Sequence, residues 1–210
     1  MPARLTLLSH ASTAATRLSA FPADEPLEDS TLANLTTLNW QPPRAHQILT
    51  APELRTQQTA KALNLAATPT PELRDLHYRN WQGRTLADLH AEDPQAIAQW
   101  LTDPTSSPHQ GESITSLVTR IAAWLDTVAT EGTLHTIAIT HPTVIRAAIL
   151  HTLNAPPQSF WRIDIAPLTL TDLRHNGRTW TLRATAIPLA PHDPPQPDHP
   201  PQTKKPRQAS

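Results

Sequence analysis

The sequence predicts a three-layer α/β domain with a mainly parallel sheet and helices on both faces. Three observations predict it. Two short apolar runs, Leu5-Thr6-Leu7-Leu8 and Ile137-Ala138-Ile139, are too brief for surface helices and have the composition of strands buried on both faces. Amphipathic helical patterns alternate with the strand-like runs, the order that produces parallel sheets. The 210 residues leave room for one domain of ordinary size, residues 1–187, with a sizeable core. Each apolar run also ends on a histidine, His10 and His141. In open α/β sheets ligands gather just beyond the carboxyl ends of the strands, so two imidazoles from distant parts of the chain are expected to meet there.

The elements follow in order. Ser12 or Thr13 caps a short turn of helix toward Arg17. A loop punctuated by Pro22 and Pro26 leads to a helix capped by Asp29 or Ser30, with Leu32, Leu35 and Leu38 on one stripe. Gln47–Thr50 is the next strand, and a helix opens after it with Pro52 in its first turn and Arg55 close to the strand end. Thr70–Leu73 is expected to be extended. Residues 74–83 are polar and aromatic without a period, so they form a loop, and loops carrying several titratable groups are frequent carriers of function. Helices are expected near 86–91 and 94–101, then a long one capped by Ser113 through Leu117, Ile121, Trp124, Leu125 and Val128. The second strand ending in His141 is followed by a helix from Pro142 to Leu153. Three late strands are expected at 160–165, 168–174 and 179–186, the last two joined by an Asn176-Gly177 turn that accepts positive φ. From residue 188 to 210, Pro, Asp, His and Gln dominate, a composition that buries no core and predicts a disordered tail.

The bulk numbers exclude several classes of function. A net charge of −1 gives no field to collect nucleic acid or an acidic membrane. The absence of cysteine excludes disulfides, thiol catalysis and thiolate zinc sites. No stretch is apolar enough to span a bilayer, and the first residues lack the features of a signal peptide, so a cytoplasmic protein is the expectation. The expected partner is a small molecule; a homodimer is allowed.

Five groups suggest chemistry: His10, Arg55, Asp75, His141 and His77. Phosphoryl transfer needs a nucleophile, cationic donors around the equatorial oxygens and an acid for the leaving alkoxide. A neutral imidazole with one bare nitrogen serves as nucleophile when a carbonyl holds the other N–H. An arginine fork holds two phosphate oxygens. A carboxyl such as Asp75 protonates the leaving oxygen if its surroundings raise its pKa.

Six segments match a known family in order. Leu7-Leu8-Ser9-His10-Ala11-Ser12-Thr13 resembles a strand ending in Arg-His-Gly-x-Thr, and Asp24-Glu25-Pro26-Leu27 resembles Asp-x-Pro-Leu. Residues 51–60, Ala-Pro-Glu-Leu-Arg-Thr-Gln-Gln-Thr-Ala, resemble Ser-Pro-Leu-x-Arg-Ala-x-Gln-Thr-Ala, with variation around Glu53. Leu73-Arg74-Asp75 through Trp81-Gln82-Gly83 resembles Leu-x-Glu running to Trp-Glu-Gly. Gly111-Glu112-Ser113 matches Gly-Glu-Ser, and residues 140–146 resemble Ser-His-Gly-Gly-Val-Ile-Arg. The chain thus resembles the histidine phosphatase superfamily, with its phosphoglycerate mutase-like fold. The resemblance implies a metal-independent, cofactor-free phosphomonoesterase of the histidine acid phosphatase kind, acting on a small phosphorylated metabolite. His10 would carry the phosphoryl group, Asp75 would be the proton donor, and His141 and Arg55 would contact the phosphate. Thr13, Arg17, His77 and Arg79 are further candidates for substrate contact.

One departure stands out. The arginine that precedes the family's nucleophile is Ser9. Losing such a charge-assisted donor costs about 2–4 kcal/mol in the transition state, roughly 100-fold or more in rate. Either another cation, with Arg17, Arg79 and Arg84 as candidates, takes its place, or the chemistry has changed. The alternatives are acid–base chemistry without phosphoryl transfer, of lyase, dehydratase or isomerase type, and a non-catalytic binding protein.

Overall fold

The computed structural model describes residues 2–38 and 40–189. The tail expected from residue 188 therefore lies, from 190 on, outside the described residues. Strand β1 (Pro2–Ser9) leads through α1 (Ala14–Leu18) and α2 (Asp29–Thr37) to β2 (Gln47–Thr50); α3 (Leu54–Ala62) and the two-residue β3 (Thr68–Pro69) follow. After 3₁₀ turns at Pro71–Leu73 and Arg79–Trp81 come α4 (Leu86–Glu92), α5 (Pro94–Thr102), α6 (Ile114–Glu131), β4 (His135–Thr140) and α7 (Pro142–Leu153). A 3₁₀ segment at Pro157–Arg162 precedes β5 (Thr169–Asn176) and β6 (Trp180–Pro188).

The sheet runs β3-β2-β4-β1-β5-β6. The pairs β1–β4, β2–β4 and β2–β3 are parallel, and β5 is antiparallel to both β1 and β6. Period-2 alternation builds the layers. Leu5 and Leu7 of β1 and Ala138 of β4 pack with Leu117, Ile121 and Leu125 of α6 and with Val144 and Ala148 of α7. The intervening Leu8, Ile137 and Ile139 pack with Leu35 of α2 and Ala60 of α3 on the other face. Helices thus cover both faces of the central strands.

The register places the site. Ser9 lies opposite Thr140, and the His10 N–H donates to the Thr140 carbonyl at 2.9 Å, so His10 and His141 leave the sheet side by side. Thr50 of β2 lies opposite Ile139, which brings the start of α3 to the same edge.

Four local expectations differ from the structure. Residues 160–165 do not form a strand: Pro156-Pro157 starts a 3₁₀ turn, and Phe160 is an anchor that meets Trp161 edge-on at 4.9 Å. Residues 71–73 also form a 3₁₀ turn, with Pro71 in its first position, rather than an extended run. Pro52 lies just before the α3 N-cap, Glu53, and not within the first turn. Helix α2 starts at Asp29 with Glu28 as its N-cap, and no side chain caps it.

The loop that carries Asp75 is held from behind. Arg120 of α6 forks onto Glu112 at 2.9 and 2.7 Å and donates to the carbonyls of Glu72 and Arg74. Gly111 packs so closely that a Cβ there would lie 1.7 Å from the His77 carbonyl oxygen. Gly111→Ala must therefore displace the loop. We expect it to cost about 1–3 kcal/mol of stability, seen as a lowered Tm, and to lower any activity that depends on Asp75.

Candidate active site

His10 follows the last residue of β1 and is 7% exposed. Its Nδ1 lies 2.7 Å from the Ala11 carbonyl oxygen. A carbonyl only accepts, so Nδ1 carries the proton and Nε2 of the neutral ring is left bare. Burial, with His141 and Arg55 nearby, lowers the His10 pKa to about 3 against the opposing pull of the Ala11 carbonyl and Asp75. The ring is a free base throughout the neutral range.

Arg55, in the first turn of α3, is only 1% exposed. Its Nη1 donates to the Ala23 carbonyl and its Nη2 to Asp75 Oδ2, each at 2.6 Å. Asp75 Oδ1 accepts from the Leu76 N–H at 2.8 Å and from the Thr143 hydroxyl. Burial pushes the Asp75 pKa up, but His141, Arg55, Thr143 and His10 outweigh it and bring it to about 2. The unliganded site therefore holds Asp75 as a carboxylate and not as a ready proton donor.

His141 is the fully buried N-cap residue of α7, and its ring centroid stands 5.2 Å from that of His10 in an edge-on arrangement. Its Nε2 lies 2.8 Å from Glu53 Oε2, and its Nδ1 lies 3.4 Å from Asp75 Oδ2 without a hydrogen bond. The other Glu53 oxygen accepts the Asp75 N–H at 2.9 Å. Burial raises the Glu53 pKa, but the His141 and Asp75 contacts leave it below the usual carboxylate value.

His10, Arg55 and Asp75 line a cavity of about 190 Å³ whose walls also include Thr13, Glu25, Tyr78, Thr143 and Arg146. Burial pushes the Tyr78 phenol well above its ordinary value, so it stays neutral. Arg146 of α7 donates from Nε to the Ile163 carbonyl at 2.7 Å and sits over the Phe160 and Trp161 rings at 5.6 and 5.7 Å. A second cavity of about 300 Å³ lies beyond the Arg55–Asp75 pair, with Asp24, Glu53, Arg74 and His77 on its walls. Among the described residues no three His, Cys, Asp or Glu side chains are grouped to hold a metal ion, and no helix is long and apolar enough to cross a membrane.

A model of the histidine phosphatase superfamily (branch 1) matches residues 5–188. The chain belongs to this superfamily. As a histidine phosphatase superfamily member it is 26% identical over 97 residues to the adenosylcobalamin/alpha-ribazole phosphatase of Salmonella typhimurium, covering 45% of this chain and 48% of the relative. It is 42% identical over 48 residues to the glucosyl-3-phosphoglycerate phosphatase of Mycobacterium tuberculosis, covering 23% of this chain and 22% of that one. The chain spans less than half the length of these relatives, and 33% of other mycobacterial ones that it matches. In fold it resembles the crystal structure of a putative alpha-ribazole-5'-P phosphatase from Escherichia coli, with a TM-score of 0.78 at 21% identity, covering 91% of this chain and 99% of that one.

The structure brings His10, Arg55, Asp75, His141 and Thr13 together and leaves the other candidates outside the His10 cavity. Arg17 pairs with Glu28 at 2.8 Å and is 61% exposed. Arg79 is exposed and donates to the Gln110 carbonyl at 3.3 Å. Arg84 pairs with Glu92. His77 lines the neighbouring cavity. None of the three arginines replaces the one missing at Ser9, because each is drawn to a partner on the surface. Ser9 itself is fully buried, and its hydroxyl has no hydrogen-bond partner among the described residues. Two residues stood in the matching segments without an assigned role. Arg146 lay within a matching segment, five residues after His141. Glu53 carried a signal, a carboxylate where the related segment has leucine.

Acid sensitivity follows from the two lowered pKa values. The unfolded His10 protonates near 6.5 and the folded one near 3, so its contribution to stability is full above about pH 6.5 and is lost as pH falls toward 3. Asp75 contributes fully above 3.8, and its contribution is lost as pH falls toward about 2. The Tm should fall on acidification from pH 7 to 4, and it should fall less in His10→Asn. Parallel curves for the two proteins would contradict the buried neutral imidazole.

Proposed function

We propose that this protein hydrolyses a phosphomonoester of a small metabolite through a phosphohistidine on His10. One observation carries the reading. A buried imidazole is fixed by the Ala11 carbonyl with Nε2 bare, in a cavity shared with the guanidinium groups of Arg55 and Arg146. In the first step the Nε2 lone pair attacks phosphorus, the P–O bond to the alcohol breaks, and the alkoxide takes a proton. In the second, water attacks the phosphohistidine, giving inorganic phosphate and free His10. Arg55 and His141 hold the phosphoryl oxygens, and Arg146, which shares the His10 cavity, supplies a further cation. Asp75 becomes a proton donor when substrate binds. A phosphate that draws Arg55 toward itself takes away the counter-cation of Asp75 and brings like charge close, and both effects raise its pKa. The relatives named for α-ribazole and glucosyl-3-phosphoglycerate phosphatase activity make phosphate esters of sugar-type alcohols the first substrates to try.

The test is a panel of such esters, with p-nitrophenyl phosphate, read by free phosphate. Turnover that His10→Ala abolishes supports the reading. A second reading has its own observation: Ser9 has replaced the motif arginine, while Arg55 and His141 are each already engaged by a carboxylate. In that reading the pocket does acid–base chemistry without phosphoryl transfer. Absence of phosphate release from every ester, with release gained in Ser9→Arg, would favour it.

A further inference from the structure

Resting on the phosphohistidine reading, we propose that Glu53 is a positioning residue that holds His141 as a doubly protonated imidazolium, giving the phosphoryl oxygens a positive donor that offsets the arginine absent at Ser9. The geometry of the ring carries this. Both nitrogens face carboxylate oxygens, Nε2 toward Glu53 at 2.8 Å and Nδ1 toward Asp75 at 3.4 Å. A neutral imidazole has one N–H and would turn a bare lone pair toward one of the two anions. The imidazolium has an N–H for each. His141 is fully buried, so no bulk water substitutes for either partner.

The Nε2 contact is a complete hydrogen bond. Nδ1 makes none in the unliganded site, so its N–H is spare for a phosphoryl oxygen arriving beside Asp75. Glu53 cannot swing away without loss, since its other oxygen accepts the Asp75 N–H. The charged and titratable groups next to the ring are Glu53 from the start of α3, Asp75 from its loop with Arg55 paired to it, and His10 from the end of β1. His10 is neutral, so two carboxylates stand against one guanidinium and the balance favours a cationic ring. A leucine, which the related segment carries where Glu53 stands, offers no such contact. The two departures from the family pattern thus offset each other: Ser9 removes a fixed cation, and Glu53 anchors one on His141.

The test is ¹⁵N NMR of the full chain with the His141 ring assigned, comparing the wild type with Glu53→Gln and Glu53→Asp. The expected result is a ring with two N–H groups at pH 7 in the wild type and in Glu53→Asp, and with one in Glu53→Gln. A single N–H in the wild type at pH 7 overturns the proposal, even if Glu53→Gln does not fold. Phosphate release gives a second readout. Glu53→Gln should lose about 100-fold in kcat/KM at pH 8, with the deficit shrinking as the pH is lowered to 5.5. An equal deficit at both pH values would mark a merely structural role and would also overturn the proposal. Failure of the phosphatase reading shows separately, as absence of phosphate release from the wild type, and the NMR result then decides the protonation of His141 by itself.

Discussion

His10→Ala is expected to reduce phosphate release by about 10⁴-fold or more, to the level of the uncatalysed background. No neighbouring group can take over as nucleophile. The Nε2 of His141 is bonded to Glu53, and its Nδ1 lies toward the Asp75 carboxylate. The Ser9 hydroxyl is fully buried with no base bonded to it. The variant should nevertheless fold. The lost imidazole makes one side-chain hydrogen bond, to the Ala11 carbonyl, and its ring borders a cavity rather than the packed core. Turnover falling while Tm stays close to the wild type is the expected pair of results. Retained turnover would require a different nucleophile.

Arg55→Met should damage both function and fold. The guanidinium bonds to Asp75 and to the Ala23 carbonyl while only 1% exposed, so its removal takes the counter-cation from a carboxylate whose side chain is only 11% exposed. Breaking a buried pair from one side costs about 3–5 kcal/mol, roughly 10 °C in Tm for a domain of this size. The same change removes the fork from the phosphoryl oxygens, for a further loss of about 10²–10³ in kcat/KM. A second substitution separates the two effects. Asp75→Asn in the Arg55→Met background relieves the orphaned charge and should recover part of the Tm without recovering turnover. Arg55→Lys should rescue poorly, because one ammonium cannot span the Ala23 carbonyl and Asp75 together.

The elements legible from the sequence were those with an unambiguous period or stop. The buried runs ending at His10 and His141 read as strands covered on both faces of a mainly parallel sheet, and their shared edge followed from that. Arg55 was legible because a helix had to start where β2 stopped. The 3₁₀ turn at Pro157–Arg162 was not. Its Phe-Trp-x-Ile composition is that of a strand, and only the packing of Phe160 and Trp161 against the core shows those rings anchoring a turn. The candidate cations failed for a related reason. Arg17 and Arg79 lie near the site in sequence, but a long side chain goes to whichever carboxylate or carbonyl it can reach, and the sequence does not reveal that choice. Glu53 was missed for the opposite reason. A carboxylate beside a helix start reads as an ordinary cap, and its contact with His141 joins residues 88 positions apart.

The most direct measurement is rapid acid-free quenching of the wild-type protein with a turned-over ³²P-labelled phosphomonoester, followed by peptide mapping. The account predicts an acid-labile, base-stable label on the peptide containing His10, attached at Nε2, with its formation as fast as turnover. Steady phosphate release with no label on that peptide, or with label on another residue, would contradict it.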